Sequence, residues 1–171
     1  MATNLYVALL RAVNVGGTGK LPMADLRAMC EALGFTGVRT YIASGNVVFR
    51  AHGGTQAVKA ALEAALAAYA GKPVAVLLRS HAELAAVLAT NPFPDAAGNR
   101  LVIVFLDQPP PPDTLARASH VGTERLALGI REIYIDYGMG MRDSRLKLPP
   151  AATGTGRNLN TVMKLEQLSR G

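Results

Sequence analysis

The residues best suited to chemistry in this chain are glycines and cations set between a strand and a helix. Gly16-Gly17-Thr18-Gly19-Lys20 follows the apolar run Leu5–Leu10 and precedes Pro22, which opens a helical pattern. In such a turn, backbone N–H groups converge on an anion and a lysine adds charge. The triphosphatase version requires a glycine five residues before the Gly-Lys pair and a Ser or Thr after the lysine. Asn14 and Leu21 occupy those places, so the Mg²⁺-binding hydroxyl is missing. A looser anion site and a plain strand-to-helix connection are the readings left.

Thr153-Gly154-Thr155-Gly156-Arg157-Asn158 reads as a second loop of this kind, ahead of a last helix starting near Asn158. Arg157 is then expected in the first turn. A cation there opposes the helix dipole and calls for an anion or a carboxylate partner. At about 100° per residue, Arg157, Asn160, Thr161 and Lys164 share one arc, with Leu159, Val162, Met163 and Leu165 opposite. A solvated polar face with an ordinary cap is the alternative. The candidate ligand-binding set is Arg11, Asn14, Gly16, Gly17, Lys20, Ser44, Asn46, Gly154, Arg157, Asn158, Thr161 and Lys164. Both loops are expected to line one basic depression that takes an oxyanion such as phosphate.

Catalytic constellations are scarce. His52, His81 and His120 have no metal-ligand spacing, so no metal and no cofactor is expected. Cys30 lies on an apolar helix stripe and reads as a small buried hydrophobe. Ser44 sits in a turn without the G-x-S-x-G context or a nearby base. No recognisable catalytic constellation emerges, and whether the protein is an enzyme stays open.

The elements that must position these residues follow from periodicity. Leu5–Leu10 reads as a strand buried on both faces. Leu26, Met29, Cys30 and Leu33 form one helical stripe after Pro22, stopped by Gly34. Val38–Ile42 and Val47–Phe49 flank Ser44-Gly45-Asn46 as a hairpin. Thr55 is placed to cap a helix reaching Ala70, with the stripe Val58, Leu62, Ala65, Leu66 and Tyr69. Val74–Leu78 reads as a strand, and Ser80 with Glu83 as a capping box. This β-α-β-β-α-β order is the split βαβ, or ferredoxin-like, arrangement.

The second half repeats the order: a strand at Leu101–Leu106, four prolines, and a short helix near Asp113–Ala118. Arg125–Leu128 and Glu132–Asp136 then flank Gly129-Ile130, where a leading Gly suits a type II′ turn. A last helix follows, with no clear closing strand. The expected fold is α+β, two tandem ferredoxin-like (βαββα-type) halves packed into one compact unit. The halves are residues 1–90 and 100–171, joined by the Pro-, Gly- and Asn-rich connection 91–99.

Composition sets the class. Of 171 residues, 50% are apolar and 18% charged, against roughly 25% charged in average domains. A disordered chain, which needs the opposite balance, is excluded. The net charge of +6 is spread without a block of like charge, as suits a small anionic ligand or a solvated surface. Nucleic acid is a less favoured partner. The strand Leu5–Leu10 resembles the first motif of an RNA-recognition module, but Asn46–Arg50 carries one aromatic where that module needs more. A single cysteine allows no internal disulfide. No membrane span is expected, and Leu5–Leu10 is too short for a signal peptide and lacks a basic region before it. The expected compartment is the cytoplasm. The oligomeric state is not legible.

The chain resembles a bacterial family catalogued as domain of unknown function 1697. The resemblance rests on Leu9–Gly17, then Met23 and Leu26, Leu33-Gly34-Phe35, and Tyr41–Val47. It continues through Asn91-Pro92-Phe93, Ser144 and Lys147, and closes with Arg157-Asn158, Thr161, Lys164 and Leu165. Departures are Ala12 where the family usually has Gly, Ala43 where it has Gln, and Gly19 where it often has Asn. The resemblance implies an α+β fold with ferredoxin-like elements and carries over no activity, cofactor or catalytic residue. It does mark Arg11, Asn14, Ser44, Asn46 and Arg157-Asn158, polar residues at strand ends and turns, where function concentrates. The expected function is binding of a small anionic, phosphate-bearing ligand at the Gly-rich loops. A nucleic-acid-associated protein and a protein–protein adaptor are the alternatives.

Overall fold

The computed structural model describes residues 3–11, 21–41 and 45–170. It is a mixed α+β protein whose described residues form two four-stranded sheets and four α-helices. The first sheet contains β1 (Asn4–Leu10), β2 (Thr36–Tyr41), β3 (Asn46–Ala51) and β4 (Val76–Arg79) in the order β2-β3-β1-β4. Every neighbouring pair is antiparallel, with Tyr6 opposite Phe49 and Leu9 opposite Leu77. Helix α1 (Met23–Ala32) carries the chain from β1 to β2, and α2 (Thr55–Ala70) from β3 to β4. Each crossover steps past one strand, which interleaves the two β-α-β units.

The alternation of β1 explains this layering. Tyr6, Ala8 and Leu10 share one core with Leu26 and Cys30 of α1 and Val58, Leu62 and Leu66 of α2. Val7 and Leu9, on the opposite face, are also fully buried, as an unbroken apolar run requires. Each buried leucine contributes about 1.5–3 kcal/mol relative to exposure. Phe35 stacks on Phe49 at 4.4 Å between ring centroids and closes one end of this core.

Local signals hold with two amendments. Pro22 precedes α1 in extended backbone, and Gly34 ends it at φ +87°. At α2, Gly54 takes the cap position expected of Thr55, and Gly71 ends the helix left-handed. Tyr69 leaves the α2 stripe for the surface, where its hydroxyl donates to Asp25 Oδ2 at 2.6 Å. Helix α3 (His81–Ala89) opens with the expected reciprocal cap. Glu83 N–H donates to Ser80 Oγ at 3.1 Å, and Ser80 N–H to Glu83 Oε1 at 2.9 Å.

The second sheet comprises β5 (Leu101–Phe105), β6 (Arg125–Leu128), β7 (Glu132–Asp136) and β8 (Thr155–Asn158), in the order β6-β7-β5-β8. This is the serial order of the first sheet. Helix α4 (Leu159–Leu168) follows β8 directly. The sequence reading left this half without a closing strand; β8 is that strand. The short helix expected at Asp113–Ala118 is a single 3-10 turn, Leu115–Arg117. A second 3-10 turn, Pro149–Thr153, precedes β8. Prolines cannot donate the amide bonds of a longer helix. Val104, Leu106, Ile133 and Ile135 form one buried cluster of this half, and Leu101, Ile103, Phe105 and Tyr134 are buried as well.

The β6–β7 hairpin also departs from expectation. Gly129 N–H donates to Glu132 O at 2.7 Å, so Ile130 and Arg131 are the central turn residues. Gly129 has no positive φ and so cannot lead a type II′ turn. A Cβ there would lie 3.1 Å from Tyr134 Cε2 and 3.2 Å from Glu132 Oε1, so those side chains would have to give by a few tenths of an ångström.

The chain divides into two compact units, Met1–Leu84 with Leu165–Gly171, and Ala85–Lys164. No helix among the described residues is long and apolar enough to cross a membrane.

Candidate functional site

The candidate residues meet different fates. Asn14, Gly16, Gly17, Lys20 and Ser44 lie outside the described residues. Arg11 is exposed just beyond β1, its N–H donating to Ala75 O at 2.9 Å. Asn46 is fully buried, and its Nδ2 donates to Tyr41 O at 2.9 Å across the first pair of the β2–β3 hairpin.

The second glycine run is corrected by β8. Gly154 and Gly156 do not open a loop toward a helix. A Cβ on Gly154 would lie 2.5 Å from Phe105 O, and one on Gly156 2.9 Å from Val102 Cγ1. These glycines let β8 approach β5 closely, a purpose unrelated to anion capture. Arg157 is likewise not in a helical turn; it stands in β8 opposite Ile103 and is 7% exposed. Its Nη1 donates to Thr155 Oγ1 at 2.7 Å and to Gly156 O at 3.0 Å. Burial pushes the guanidinium down to about 10. The arc expected of Arg157, Asn160, Thr161 and Lys164 therefore does not form. Asn158 caps α4 instead, its Oδ1 accepting from Thr161 N–H at 2.9 Å. Thr161 is buried, and Lys164 is exposed on α4.

A different place within residues 85–164 gathers polar groups. Two segments, 119–124 before β6 and 138–147 after β7, are clamped together. Ser119 and Lys147 exchange backbone hydrogen bonds of 2.9 Å in each direction. Ser144 Oγ donates to Glu124 Oε1 at 2.5 Å, and Gly122 N–H donates to Glu124 Oε2 at 2.6 Å. The Ser144 bond holds the Glu124 carboxyl below its usual range, with backbone N–H groups adding to it. Between the clamps lies a depression of about 310 Å³, lined by His120, Thr123, Glu124, Gly140, Ser144 and Arg145 among others. His120 is the one non-glycine with positive φ among the described residues, at 58°. Strain of that kind concentrates at ligand sites. Arg145 makes no hydrogen bond or ion pair among the described residues.

This arrangement can bind but is poorly built for nucleophilic attack. The Ser144 hydroxyl is oriented toward a carboxylate whose basicity is reduced, and no histidine bonds to it. Among the described residues, no three His, Cys, Asp or Glu side chains converge to hold a metal. No sequence pattern marks Glu124 or Arg145, and His120 figures in the sequence only as a histidine without metal-ligand spacing. Ser144 stood in the family-like blocks, and the Gly- and Met-rich stretch from Gly138 was the other signal.

The segment 91–99 is fixed by side chains. Arg125 donates to buried Asp136 Oδ2 through Nε at 2.8 Å and to Asp95 Oδ1 through Nη2 at 3.1 Å. The guanidinium lies 4.6 Å from the Phe93 ring centroid, a cation–π contact.

Comparison with known proteins places this geometry in a family. The conserved bacterial protein SP0830 from Streptococcus pneumoniae has a similar structure, with a TM-score of 0.82 and 26% sequence identity. The likeness covers 99% of this chain and 100% of that one. No curated protein matches the chain. The family model described as protein of unknown function (DUF1697) matches residues 3–134, well over half of the length, and the chain belongs to that family.

Proposed function

We propose that the protein binds a small anionic, phosphate-bearing ligand, taken up in the depression between segments 119–124 and 138–147. The observation that carries this reading is the clamped, glycine-bearing depression with the unpaired Arg145 on its lining. Gly122 and Gly140 leave room for a ligand beside the backbone. The net charge of +6 favours approach of anions over the whole surface. The strand orders support reading the halves as ferredoxin-like, and the single cysteine supports a cytoplasmic setting.

Thermal melting with inorganic phosphate, sugar phosphates and nucleotides tests the proposal. A ligand at a hundred times its Kd stabilises by about 2.7 kcal/mol. Arg145→Ala should weaken binding by about 1.5–3 kcal/mol, the scale of a charged hydrogen bond. Lys20→Ala separates this depression from the Gly16–Lys20 loop: loss of binding there, with Arg145→Ala silent, moves the site to that loop. A salt-dependent shift with RNA and none with small phosphates would favour the nucleic-acid reading instead.

A further inference from the structure

The depression has two poles of opposite hydrogen-bonding character, and from them we propose that it selects a small polyhydroxylated phosphate ester, with a sugar hydroxyl donating to Glu124 and the phosphate facing Arg145. The inference rests on the anion-binding reading above and adds the class of ligand.

Glu124 is the first pole. A carboxylate only accepts, and has about four lone-pair positions. Ser144 Oγ and Gly122 N–H occupy one on each oxygen. The residue's own backbone N–H also favours the ionised carboxylate, and of about four lone-pair positions at least one is left to accept from a ligand. The hydrogen bond from Ser144 keeps this carboxyl ionised. A bare phosphate is repelled here, whereas a ligand that presents an O–H gains a charge-assisted bond. Ser144 cannot supply that donor, because its proton is committed to Glu124 while its oxygen accepts from Leu146 N–H at 3.3 Å.

Arg145 and His120 make the second pole, both exposed on the lining. A guanidinium presents a planar fork of donors that matches a phosphate group. His120 takes a left-handed conformation beside Ser119, which pairs with Lys147, and its Nδ1 lies 3.2 Å from Ser119 Oγ. The Thr123 hydroxyl on the lining can both donate and accept, as a polyol requires.

Size narrows the class. About 310 Å³ lies at the low end of the roughly 300–1,000 Å³ of small-molecule pockets. One sugar phosphate suits that space, and a dinucleotide does not. A ligand amine would also satisfy Glu124, and Asp143 on the lining would assist it. The net charge of +6 weighs against a cationic head group.

Isothermal titration of the full chain with inorganic phosphate, ribose, ribose 5-phosphate and phosphoethanolamine tests this. Ribose 5-phosphate should bind at least about tenfold more tightly than phosphate, the size of one charge-assisted hydrogen bond. Glu124→Gln should remove that advantage while leaving phosphate affinity unchanged or improved. Equal affinity for phosphate and ribose 5-phosphate overturns the two-pole assignment and leaves the anion reading standing. Phosphoethanolamine binding more tightly than the sugar phosphate overturns the hydroxyl assignment. No binding by any phosphate refutes the anion reading itself. The comparison among these compounds uses the unaltered chain, so the result does not depend on whether Glu124→Gln folds.

Discussion

Gly154→Ala separates the two purposes a glycine could serve before α4. As part of an anion loop, Gly154 should tolerate a methyl group with little loss of stability. In the structure that methyl would lie 2.5 Å from Phe105 O and 2.7 Å from both Leu106 Cδ2 and Val104 Cγ1. The nearest atom is a backbone carbonyl of β5 and cannot rotate away. Relief requires β8 to move off β5, at the expense of the Phe105–Thr155 and Val104–Gly156 pairs. Overpacking of this kind costs about 1–3 kcal/mol. The alanine recovers about 0.4–1 kcal/mol by restricting the unfolded chain. A net loss of about 1.3 kcal/mol remains at the centre of these ranges. At roughly 2–4 °C per kcal/mol for a chain of this size, the melting temperature should fall by about 3–5 °C. Amide exchange at Thr155 and Gly156 should quicken in step. Gly122→Ala is the control, since the nearest atom there is the Glu124 carboxylate tip at 3.4 Å. If Gly154→Ala melts within about 1 °C of the parent protein, the packing argument for β8 is wrong.

Four further outcomes follow from the same geometry. Arg125→Ala should lower the melting temperature and speed proteolysis within 91–99, and Arg125→Lys should not restore either, because a lysine cannot stack on Phe93 and reach both Asp95 and Asp136. Burial, then the nearby Glu31 charge, pushes the Cys30 thiol up to about 12. Labelling of native protein at pH 8 should thus run at least about 10³-fold slower than for a free thiol, limited by opening; rapid native labelling would contradict this. Tyr134→Phe should cost about 1 kcal/mol in urea unfolding, because Tyr134 Oη donates to Val87 O at 2.8 Å in the core. For Glu124, the folded pKa lies below the unfolded value, so its contribution is present above about pH 4.3 and lost as pH falls through the folded value. Ser144→Ala should raise its carboxyl titration toward the ordinary range, as followed by carbon NMR; an unmoved midpoint would show that the Ser144 bond is not the cause.

What was legible in the sequence depended on whether the reason for a residue lies close by along the chain. The Ser80–Glu83 box and the unbroken run of β1 each encode their structure within a few residues, and each appears as read. The α1 stripe does so through Leu26, Met29 and Cys30, whereas Leu33 lies just past the helix and is exposed. The reason for Gly154 and Gly156 lies in Phe105 and Val102, some fifty positions earlier. Two glycines flanking a threonine therefore look like a loop, although Gly156 lies in the edge strand β8 and Gly154 directly precedes it. Gly129 repeats the lesson on a smaller scale: a Cβ there would meet the Tyr134 ring and the Glu132 side chain, and it leads no type II′ turn. Arg157 follows from the same cause: with the glycines read as a loop it falls in the first turn of the last helix, whereas its place opposite Ile103 in β8 buries it.

The depression was hidden by the same rule. Glu124 and Ser144 are twenty residues apart with a hairpin between them. No periodicity links a strand-entry glutamate to a serine in a glycine- and methionine-rich segment. They meet because antiparallel β6 and β7 bring their far ends together, Arg125 opposite Asp136. Any residues just before β6 and just after β7 would become neighbours in that way. Proximity alone therefore says nothing of function. What marks these residues is that the proximity is used: the Ser119–Lys147 bridge and the Ser144–Glu124 bond fix two irregular segments that a hairpin does not itself require to touch. A connection serving only to join strands has no need of a carboxylate satisfied from both segments, or of a histidine held at φ 58° between them. Leu146 also packs on the apolar cluster of this half, but apolar packing does not call for the Ser144–Glu124 bond or the backbone bridge, and that added order is what supports the proposed site.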